Sequence, residues 1–292
     1  MSSSLRRQLR PDDAERVAAL FREAFGAERP LDAEEIRSWL RNEELQAEWL
    51  QVLEVDGAVV GYGDISIDKD EVVLDVAAPG RWLVFFEWAE AEAGERGLPR
   101  VRVSSPAGHE VAAIAGARGY RLWRSSFTME IKLDSRPPEE PLPAGLTLRP
   151  YAPSDEDALR AQLNEAFGDD PVWHTVTPSS FREFYLRARG FDPALWLLAW
   201  DGPELAGSAL GYPERGGDVT LGWIGTLSVR RDWRRRGLGA ALLRSAFQTL
   251  YDRGLSRIGL GVDADNPTGA LGLYERVGMH KVRQTDNWVL DL

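Results

Sequence analysis

The apolar and polar positions of the chain form two similar series, one in each half. Each series opens with Leu-Arg-Pro, at residues 9–11 and 148–150, and continues at helical spacing to Glu-Ala-Phe-Gly, at 23–26 and 165–168. Strand-like segments around an Asp-Gly turn and further helical segments follow in both halves. The repetition indicates an internal duplication, with the predicted order β-α-α-β-β-β-α-β-α-β-β in each half. Helices that alternate with the strands of a mixed sheet place the chain in the α/β class.

A proline-rich segment separates the two series. Residues 134–145 contain four prolines and several charged side chains without a hydrophobic period, which predicts a stiff, exposed linker. We therefore predict a first domain at residues 1–133 and a second domain at residues 146–292.

The composition argues against several classes of protein. The 292 residues include 43% hydrophobic positions and eleven tryptophans, which is typical of packed cores. No apolar run approaches the ~20 residues of a membrane helix, and residues 1–13 lack the apolar stretch of a signal peptide. We therefore expect a cytoplasmic protein without membrane contact. Because the chain has no cysteine and three widely spaced histidines, we expect neither disulfides nor a bound metal. The net charge of −11 argues against nucleic-acid binding.

The strongest chemical signal lies at residues 229–239, Val-Arg-Arg-Asp-Trp-Arg-Arg-Arg-Gly-Leu-Gly, between a strand-like segment and an amphipathic run. A glycine-bearing loop before a helix presents unpaired backbone N–H groups and the positive end of the helix dipole, which suits a phosphate or pyrophosphate. The arginines at 234–236 add charge that can reach phosphate oxygens. The spacing matches neither a P-loop nor the dinucleotide fingerprint. A basic surface loop before an ordinary helix is the alternative interpretation.

Two blocks of the second half resemble the motifs of one enzyme family. Arg234-Arg-Arg-Gly-Leu-Gly239 resembles the Arg/Gln-x-x-Gly-x-Gly/Ala motif of the GNAT acetyltransferases, a loop that holds the pyrophosphate of acetyl-CoA in that family. Residues 258–279 resemble the strand and helix that carry Asn, Ala, Leu-Tyr and Gly-Phe in the same family. The matching positions in this chain are Asn266, Ala270, Leu273-Tyr274 and Gly278-Met279.

The resemblance covers nearly all of residues 146–292 and, more faintly, residues 5–133. It implies two tandem GNAT-like domains, each a mixed, mostly antiparallel sheet flanked by helices, with acetyl-CoA as the co-substrate of the second. It also implies that the strand at 225–229 separates from the strand at 257–262 and leaves room for the pantetheine arm. The positions that the resemblance assigns to acetyl-CoA are Leu227, Ser228, Val229, Arg234, Arg235, Arg236, Gly237, Leu238, Gly239, Ala240, Asn266, Ala270 and Leu273.

The first half lacks a counterpart of the pyrophosphate loop. Val229 and Gly254 lie 25 positions apart, whereas the matching Val76 and Gly97 lie 21 apart, so about four residues are missing. Pro79, in the shorter stretch, has no backbone N–H to offer a phosphate. We expect the first domain to keep the fold without a cofactor site and to wall the acceptor cleft as a second subunit would. This arrangement predicts a monomer with a pseudo-dimeric pair of domains.

Tyr274 is the candidate general acid, because the family places a tyrosine here with its hydroxyl near the sulfur of CoA. A tyrosine with an ordinary pKa of about 10 is protonated at neutral pH and can donate to a thiolate. A core aromatic on a helix at residues 268–277 is the alternative interpretation. Asn266 is predicted to cap the start of that helix.

The sequence does not identify the general base. Many family members carry a glutamate on the strand before the pyrophosphate loop, where this chain has Gly222 and Trp223. Asp218 and Asp263 are the candidate bases, and deprotonation through water is the alternative. For either carboxylate, a solvated surface position is the ordinary explanation.

A cavity is predicted over a glycine-bearing strand in the gap for the pantetheine arm, and the acceptor pocket is predicted beside a loop. Gly259 and Gly261 lie on one face of their strand, where the absent side chains leave room for a ligand; a poorly packed edge strand is the alternative. The loop at 169–176 is predicted to line the pocket, because the family uses the loop between its first two helices. The candidate substrate-binding residues are Trp173, His174 and Trp223.

These observations predict an acetyl-CoA-dependent N-acetyltransferase that acts on a primary amine of a small molecule through its second domain. A non-catalytic acyl-CoA-binding or sensing protein is one alternative, because the base is not identified. A protein or peptide N-acetyltransferase is another, which a long groove in place of a closed pocket would favour.

Overall fold

The computed structural model describes residues 4–26, 29, 31–41, 46–170, 173–266 and 269–292. Two compact units share the chain. Unit 1 takes the chain up to Phe127 together with Asp263–Asp265 and Arg283–Leu292, and unit 2 takes Thr128–Val262 and Asn266–Val282.

Unit 1 is built on a mixed sheet. Its strands follow the order β1-β2-β3-β4-β5-β12, and the pairs are antiparallel except for the parallel pair of β4 and β5. The elements of the first half are β1 (Ser4–Gln8), α1 (Ala14–Phe25), α2 (Ala33–Arg41), β2 (Leu50–Val55), β3 (Ala58–Asp68), β4 (Glu71–Ala77), α3 (Leu83–Arg96), β5 (Arg100–Pro106), α4 (Glu110–Ala117) and β6 (Arg121–Lys132).

Unit 2 repeats this arrangement. Its strands follow the order β11-β10-β9-β8-β7, with the end of β6 beside β11, and the pair of β10 and β11 is parallel. The mixed, mostly antiparallel sheets confirm the predicted α/β class. The elements of the second half are β7 (Leu146–Pro150), α5 (Glu156–Phe167), α6 (Pro178–Phe181), β8 (Trp196–Asp201), β9 (Glu204–Tyr212), β10 (Leu221–Val229), α7 (Leu238–Tyr251), β11 (Arg257–Asp263), α8 (Ala270–Arg276) and β12 (His280–Asp291).

The last strands of the two halves differ from the prediction. Each half was predicted to end in two strands, but β6 and β12 are single strands of 12 residues each. Neither segment contains a glycine or proline that would start a turn. Residues 285–291 pair with β5, so the end of the chain belongs to unit 1 and the compact units differ from the predicted segments 1–133 and 146–292.

The proline-rich segment 134–145 is held along α7. The Pro137 carbonyl accepts a hydrogen bond from Nε2 of Gln248 at 3.0 Å. Arg136 pairs with Asp252 at 2.9 Å near the end of the helix. Most of the segment is exposed, as predicted, but Pro137 is buried, so the linker is anchored to unit 2. Among the helices of the described ranges, none is both long and apolar enough to cross a membrane.

Candidate active site

The parallel strands of unit 2 pair along part of their length. Pairing of β10 with β11 runs from Leu221 and Arg257 to Ile224 and Leu260 and stops there. A β-bulge interrupts the pairing of β10 with β9 between Ile224 and Thr226. Residues 225–229 therefore present backbone N–H and C=O groups without a strand partner on the β11 side. This confirms the predicted separation of the two strands.

The helix that follows β10 begins with an open N-terminus. Gly237 precedes α7 with a left-handed φ of +88°, and the backbone N–H groups of residues 235–239 have no hydrogen-bond partner among the described residues. A Cβ on Gly237 would meet no atom of the described residues within 4 Å. N–H groups without a partner at the positive end of a 14-residue helix suit an anion, and this is where the sequence predicts the pyrophosphate of acetyl-CoA.

Gly239 brings the two sequence blocks together. A Cβ on this glycine would lie 3.2 Å from Cδ2 of Leu273 and 3.9 Å from Cγ2 of Val229. The end of β10, the first turn of α7 and the helix α8 therefore meet at one point, and a side chain on Gly239 would require the side chain of Leu273 to move slightly. Ala270 lies at the start of this helix and Ala240 follows in the first turn of α7, both half-buried.

The three arginines of the loop have different environments. Arg234 turns inward, where its Nε donates to the Val229 carbonyl at 3.0 Å and its NH2 group to the Ala166 carbonyl at 2.8 Å. Its side chain therefore supports the loop and is not free for a phosphate. Arg235, which has a left-handed φ of +63°, and Arg236 are exposed beside the open helix end.

Two of the predicted cofactor positions direct their side chains into the protein. Leu238 is buried and packs against Gly207 of β9, and the hydroxyl of Ser228 lies in a buried hydrogen-bonded cluster. Only the backbone of these residues is left to contact a ligand. Leu227 and Val229 are half-buried on the same unpaired segment of β10.

Tyr274 lies on α8, next to the Leu273 side chain that contacts Gly239. It is 6% exposed, and burial raises the pKa of its phenol to about 12. No hydrogen bond to its hydroxyl is present within the described residues. The phenol is thus a protonated donor with a free hydroxyl, which is compatible with a general acid.

Asn266 does not cap α8, so that prediction was wrong. The helix begins at Ala270, and its N-cap is Gly269, which has a left-handed φ of +74°. The Asn266 carbonyl accepts a hydrogen bond from the Gly269 N–H at 3.3 Å, in the turn before the helix. Because glycine adopts this left-handed conformation without strain, Gly269 takes the N-cap position and the helix starts later than predicted. Residues 267 and 268, the latter predicted to begin the helix, lie outside the described residues.

The carboxylates of both candidate bases already form ion pairs and accept hydrogen bonds within the protein. The carboxylate of Asp218 accepts hydrogen bonds from the Thr220 hydroxyl at 2.6 Å and the Thr220 N–H at 2.9 Å, and pairs with Arg257 at 3.2 Å. Thr220, and then Arg257, hold the pKa of Asp218 below its ordinary value, which weakens it as a base. In unit 1, Asp263 pairs with Arg124 and accepts the N–H of Asp265.

The room predicted over the glycines of β11 is filled by Trp223. The indole lies 2.9 Å from the Cβ position of Gly259 and 3.9 Å from that of Gly261. The glycine face gives the flat ring a surface to lie on, so the predicted open cavity is absent at these two residues. The guanidinium carbon of Arg215 lies over the Trp223 ring, 4.6 Å from its centre.

Several side chains near Trp223 were missed by the sequence analysis. Cγ of Glu130 lies 3.4 Å from the Cβ position of Gly259, and its carboxylate pairs with Arg257 at 2.9 Å. Glu130 belongs to the last strand of the first half, so no motif of the second half points to it. The ring of Tyr212 lies 2.8 Å from the Cβ position of Gly225, at the bulge of β10.

The predicted acceptor loop is tied to the core at Trp173. Its ring stacks on Phe167 with centroids 4.6 Å apart, and its indole N–H donates to Oδ1 of Asn164 at 3.3 Å. This gives Trp173 a packing role. His174 is exposed, and residues 171–172 of the same loop lie outside the described residues.

Unit 1 has the same separation of strands but a different helix end. Pairing of β4 with β5 stops at Leu74 and Val103, although both strands continue. The residue before α3 is Trp82, which is 2% exposed. Its ring packs against Phe25 at 6.0 Å and His109 at 5.5 Å. Side chains of the unit itself therefore fill the place that is open before α7.

Comparison with known proteins agrees with this geometry. The model of the Acetyltransferase (GNAT) family matches residues 157–279. A mycothiol acetyltransferase of Streptomyces avermitilis is 30% identical over 283 residues, covering 92% of this chain and 89% of the relative. The structure of a GCN5-related N-acetyltransferase from Sphaerobacter thermophilus is 31% identical, with a TM-score of 0.79 and coverage of 99% of this chain and 95% of that chain. The chain belongs to the GNAT acetyltransferase family.

Other relatives match over part of their length. A mycothiol acetyltransferase of Pseudarthrobacter chlorophenolicus is 34% identical over 195 residues, which cover 63% of this chain and 58% of the relative. The match thus spans little more than half of that relative. A tandem GNAT protein from the clavulanic acid biosynthesis pathway, 17% identical, aligns over 99% of this chain and 98% of its own with a TM-score of 0.73. This likeness shows that the tandem fold is shared.

Proposed function

We propose that the second half of the chain transfers an acetyl group from acetyl-CoA to the primary amine of a small molecule. The observation that carries the proposal is the open N-terminus of α7, which lies beside the unpaired edge of β10 and contacts α8, the helix of Tyr274. The relatives named mycothiol acetyltransferase make a precursor of mycothiol the first acceptor to test.

The residues present fit acetyl-CoA. The N–H groups of residues 235–239 would hold the pyrophosphate, with Arg235 and Arg236 supplying positive charge at its edge. The unpaired backbone of residues 225–229 would pair with the amides of the pantetheine arm. Acetyl-CoA supplies the acetyl group as a thioester, and the chain holds it where Tyr274 and the acceptor meet.

Tyr274 is the proposed general acid. Its pKa of about 12 keeps the proton on Oη at neutral pH, and its hydroxyl is free to donate to the leaving sulfur. As the amine nitrogen bonds to the carbonyl carbon, the carbon–sulfur bond breaks and the sulfur takes this proton. Because Asp218 and Asp263 are engaged in ion pairs, we assign the proton released by the amine to water.

Replacing the tyrosine tests this role. Tyr274→Phe should lower turnover by roughly 100-fold to 10,000-fold and leave acetyl-CoA affinity nearly unchanged, because the donor is used as charge develops on sulfur. If Tyr274 is a core aromatic, turnover should change by less than about threefold. Tyr120→Phe is the matched control, since Tyr120 of unit 1 is also buried and burial also raises the pKa of its phenol.

The engaged carboxylates favour one alternative, a non-catalytic acyl-CoA-binding protein. Release of CoA thiol from acetyl-CoA, measured over a panel of primary amines and peptides, separates the possibilities. Turnover with small amines supports the proposal, turnover with peptides alone supports a peptide acetyltransferase, and binding without turnover supports the non-catalytic protein. A monomeric state, measured by light scattering, is part of the same proposal.

A further inference from the structure

The part of β10 that would hold the acetyl donor has a strand partner on one side only. Its pairing with β11 stops at Ile224, so residues 225–229 depend on β9 and on the neighbouring helices for their position. A ligand-binding backbone has to be held in place before the ligand arrives. Contacts that anchor this segment from outside the sheet therefore bear on donor binding.

A buried polar cluster connects this segment to α5. The hydroxyls of Ser208 and Ser228 each lie 3.0 Å from Oε1 of Gln162 and 2.8 Å from each other. All three residues are buried: Gln162 is 2% exposed, Ser208 is 0% exposed and Ser228 is 3% exposed. Because Ser208 and Ser228 are register partners on β9 and β10, the cluster joins the helix to both strands at one level.

The cluster is not the arrangement that stability alone would favour. Nε2 of Gln162 is buried and has no hydrogen-bond partner among the described residues. An unpaired buried donor lowers stability, whereas apolar side chains of similar size at such sites are often neutral or stabilising. Locally unfavourable choices of this kind are expected where a protein serves a function.

Unit 1 provides an internal comparison. Tyr62 and Ala77 are register partners at the positions of the two serines, counted from the hairpin that precedes them. Leu20 takes the place of the glutamine when α1 and α5 are aligned on their shared Glu-Ala-Phe ends. The unit whose helix N-terminus is filled thus has no counterpart of the cluster at these three described positions.

A second contact acts on the same segment. Arg234 donates to the Ala166 carbonyl, one turn beyond Gln162 on α5, and to the Val229 carbonyl, next to Ser228. The helix therefore holds the last two residues of β10 through two separate sets of hydrogen bonds. One of these contacts comes from the loop that carries the free N–H groups.

We propose that Gln162, Ser208 and Ser228 are positioning residues for the acetyl donor. They fix residues 227–229 at the distance from β11 that the donor's arm requires, without touching the donor through their side chains. This inference rests on the proposed function. It predicts an effect on donor affinity that is separate from folding stability.

The test replaces the whole cluster with apolar side chains. The triple variant Gln162→Leu, Ser208→Ala, Ser228→Ala should keep the melting temperature of the wild type or exceed it, because no buried polar group is left unpaired. Its Kd for acetyl-CoA should rise roughly tenfold, and its kcat at saturating donor should change by less than about threefold, since the lost contacts act on binding. Ser105→Ala, at a buried serine of unit 1, is the matched control and should change neither the Kd for acetyl-CoA nor kcat.

Each outcome decides the matter. Unchanged donor affinity in the triple variant would overturn the positioning role, and a loss of affinity accompanied by a lower melting temperature would assign the cluster to folding. If the triple variant does not fold, Ser228→Ala alone should raise Kd about threefold with kcat unchanged, and an unchanged Kd would again overturn the role. Wild-type protein that does not bind acetyl-CoA would refute the proposed function itself, which is a distinguishable result.

Discussion

The starts of α3 and α7 occupy the same place in two similar units but differ in what they leave open. Trp82 precedes α3 and packs its ring against Phe25 and His109. Gly237 precedes α7, and the N–H groups of residues 235–239 have no partner in the part of the chain that the structure describes. In both units the parallel strands separate after four pairs of residues. Separated strands are therefore a property of the fold, whereas an anion site depends on the loop that follows them.

The two units also differ in the charged side chains of their interiors. In unit 1, Arg29 makes two hydrogen bonds to Asp75, at 2.5 and 2.6 Å, and lies 4.8 Å from the ring centre of Phe21. Asp75 faces Asp64 on the neighbouring strand, and the corresponding pair in unit 2 is Leu210 and Thr226. Unit 1 thus uses its own cation and carboxylates where unit 2 has neutral side chains.

The largest expected effect comes from a negative charge at the open helix end. Gly237→Asp should weaken acetyl-CoA binding at least about 1,000-fold, because a carboxylate would meet the pyrophosphate at close range in a partly desolvated site. The fold should persist, since aspartate is one of the few residues besides glycine that adopt a left-handed φ, at some cost in strain, and no atom of the described residues lies within 4 Å of the new Cβ.

Gly80→Asp is the matched control for that variant. Gly80 lies before α3, has a φ of +70° and also has no atom within 4 Å of its Cβ position. This variant should bind acetyl-CoA as the wild type does, in the same calorimetric titration. Equal effects of the two substitutions would remove the distinction between the helix ends.

The variant Trp82→Ala tests whether the Trp82 side chain blocks a second acetyl-CoA site in unit 1. Trp82→Ala should lower the free energy of unfolding by about 3–5 kcal/mol, as expected for a large buried aromatic. No second donor site should appear, because the loop is short and the Arg81 N–H already donates to the Ala78 carbonyl at 2.8 Å. Denaturant unfolding measures the first effect, and an additional equivalent of bound acetyl-CoA would contradict the second.

The smallest expected effect concerns how the free energy of unfolding depends on pH, through the buried carboxyl of Asp64 in unit 1. Burial and then the charge of Asp75 raise the pKa of Asp64 above its ordinary value. The folded state therefore retains a proton that the unfolded chain releases, so stability is full below the unfolded pKa of about 4 and falls as pH rises through the folded value. Asp64→Asn should flatten this fall, by on the order of 1 kcal/mol. An equal fall in unfolding free energy from pH 5 to pH 8 in the wild type and in Asp64→Asn would contradict this.

The sequence predicted those features that lie within one continuous segment. The glycine loop before α7 and the helix of Tyr274 both depend on short motifs, and the structure brings them together at Gly239. The missing loop of the first half was visible as a difference in length, although the sheet registers make Ala78, and not the predicted Val76, the counterpart of Val229. Helix starts were less predictable, because Gly269 competes with Asn266 for the cap position.

Features that depend on distant segments were not predictable. Residues 285–291 pair with β5, which lies about 180 residues earlier in the chain. Glu130 reaches Gly259 because β6 of the first half lies beside β11. The alternation that placed Gly259 and Gly261 on one face was correctly interpreted, but nothing local showed that Trp223 covers that face.

The central claim is that the two units share a fold and that one of them binds the donor. Calorimetric titration of the wild-type chain with acetyl-CoA tests it most directly. We predict one equivalent per chain, bound beside Gly237. Two equivalents, or one equivalent that persists in Gly237→Asp, would contradict it.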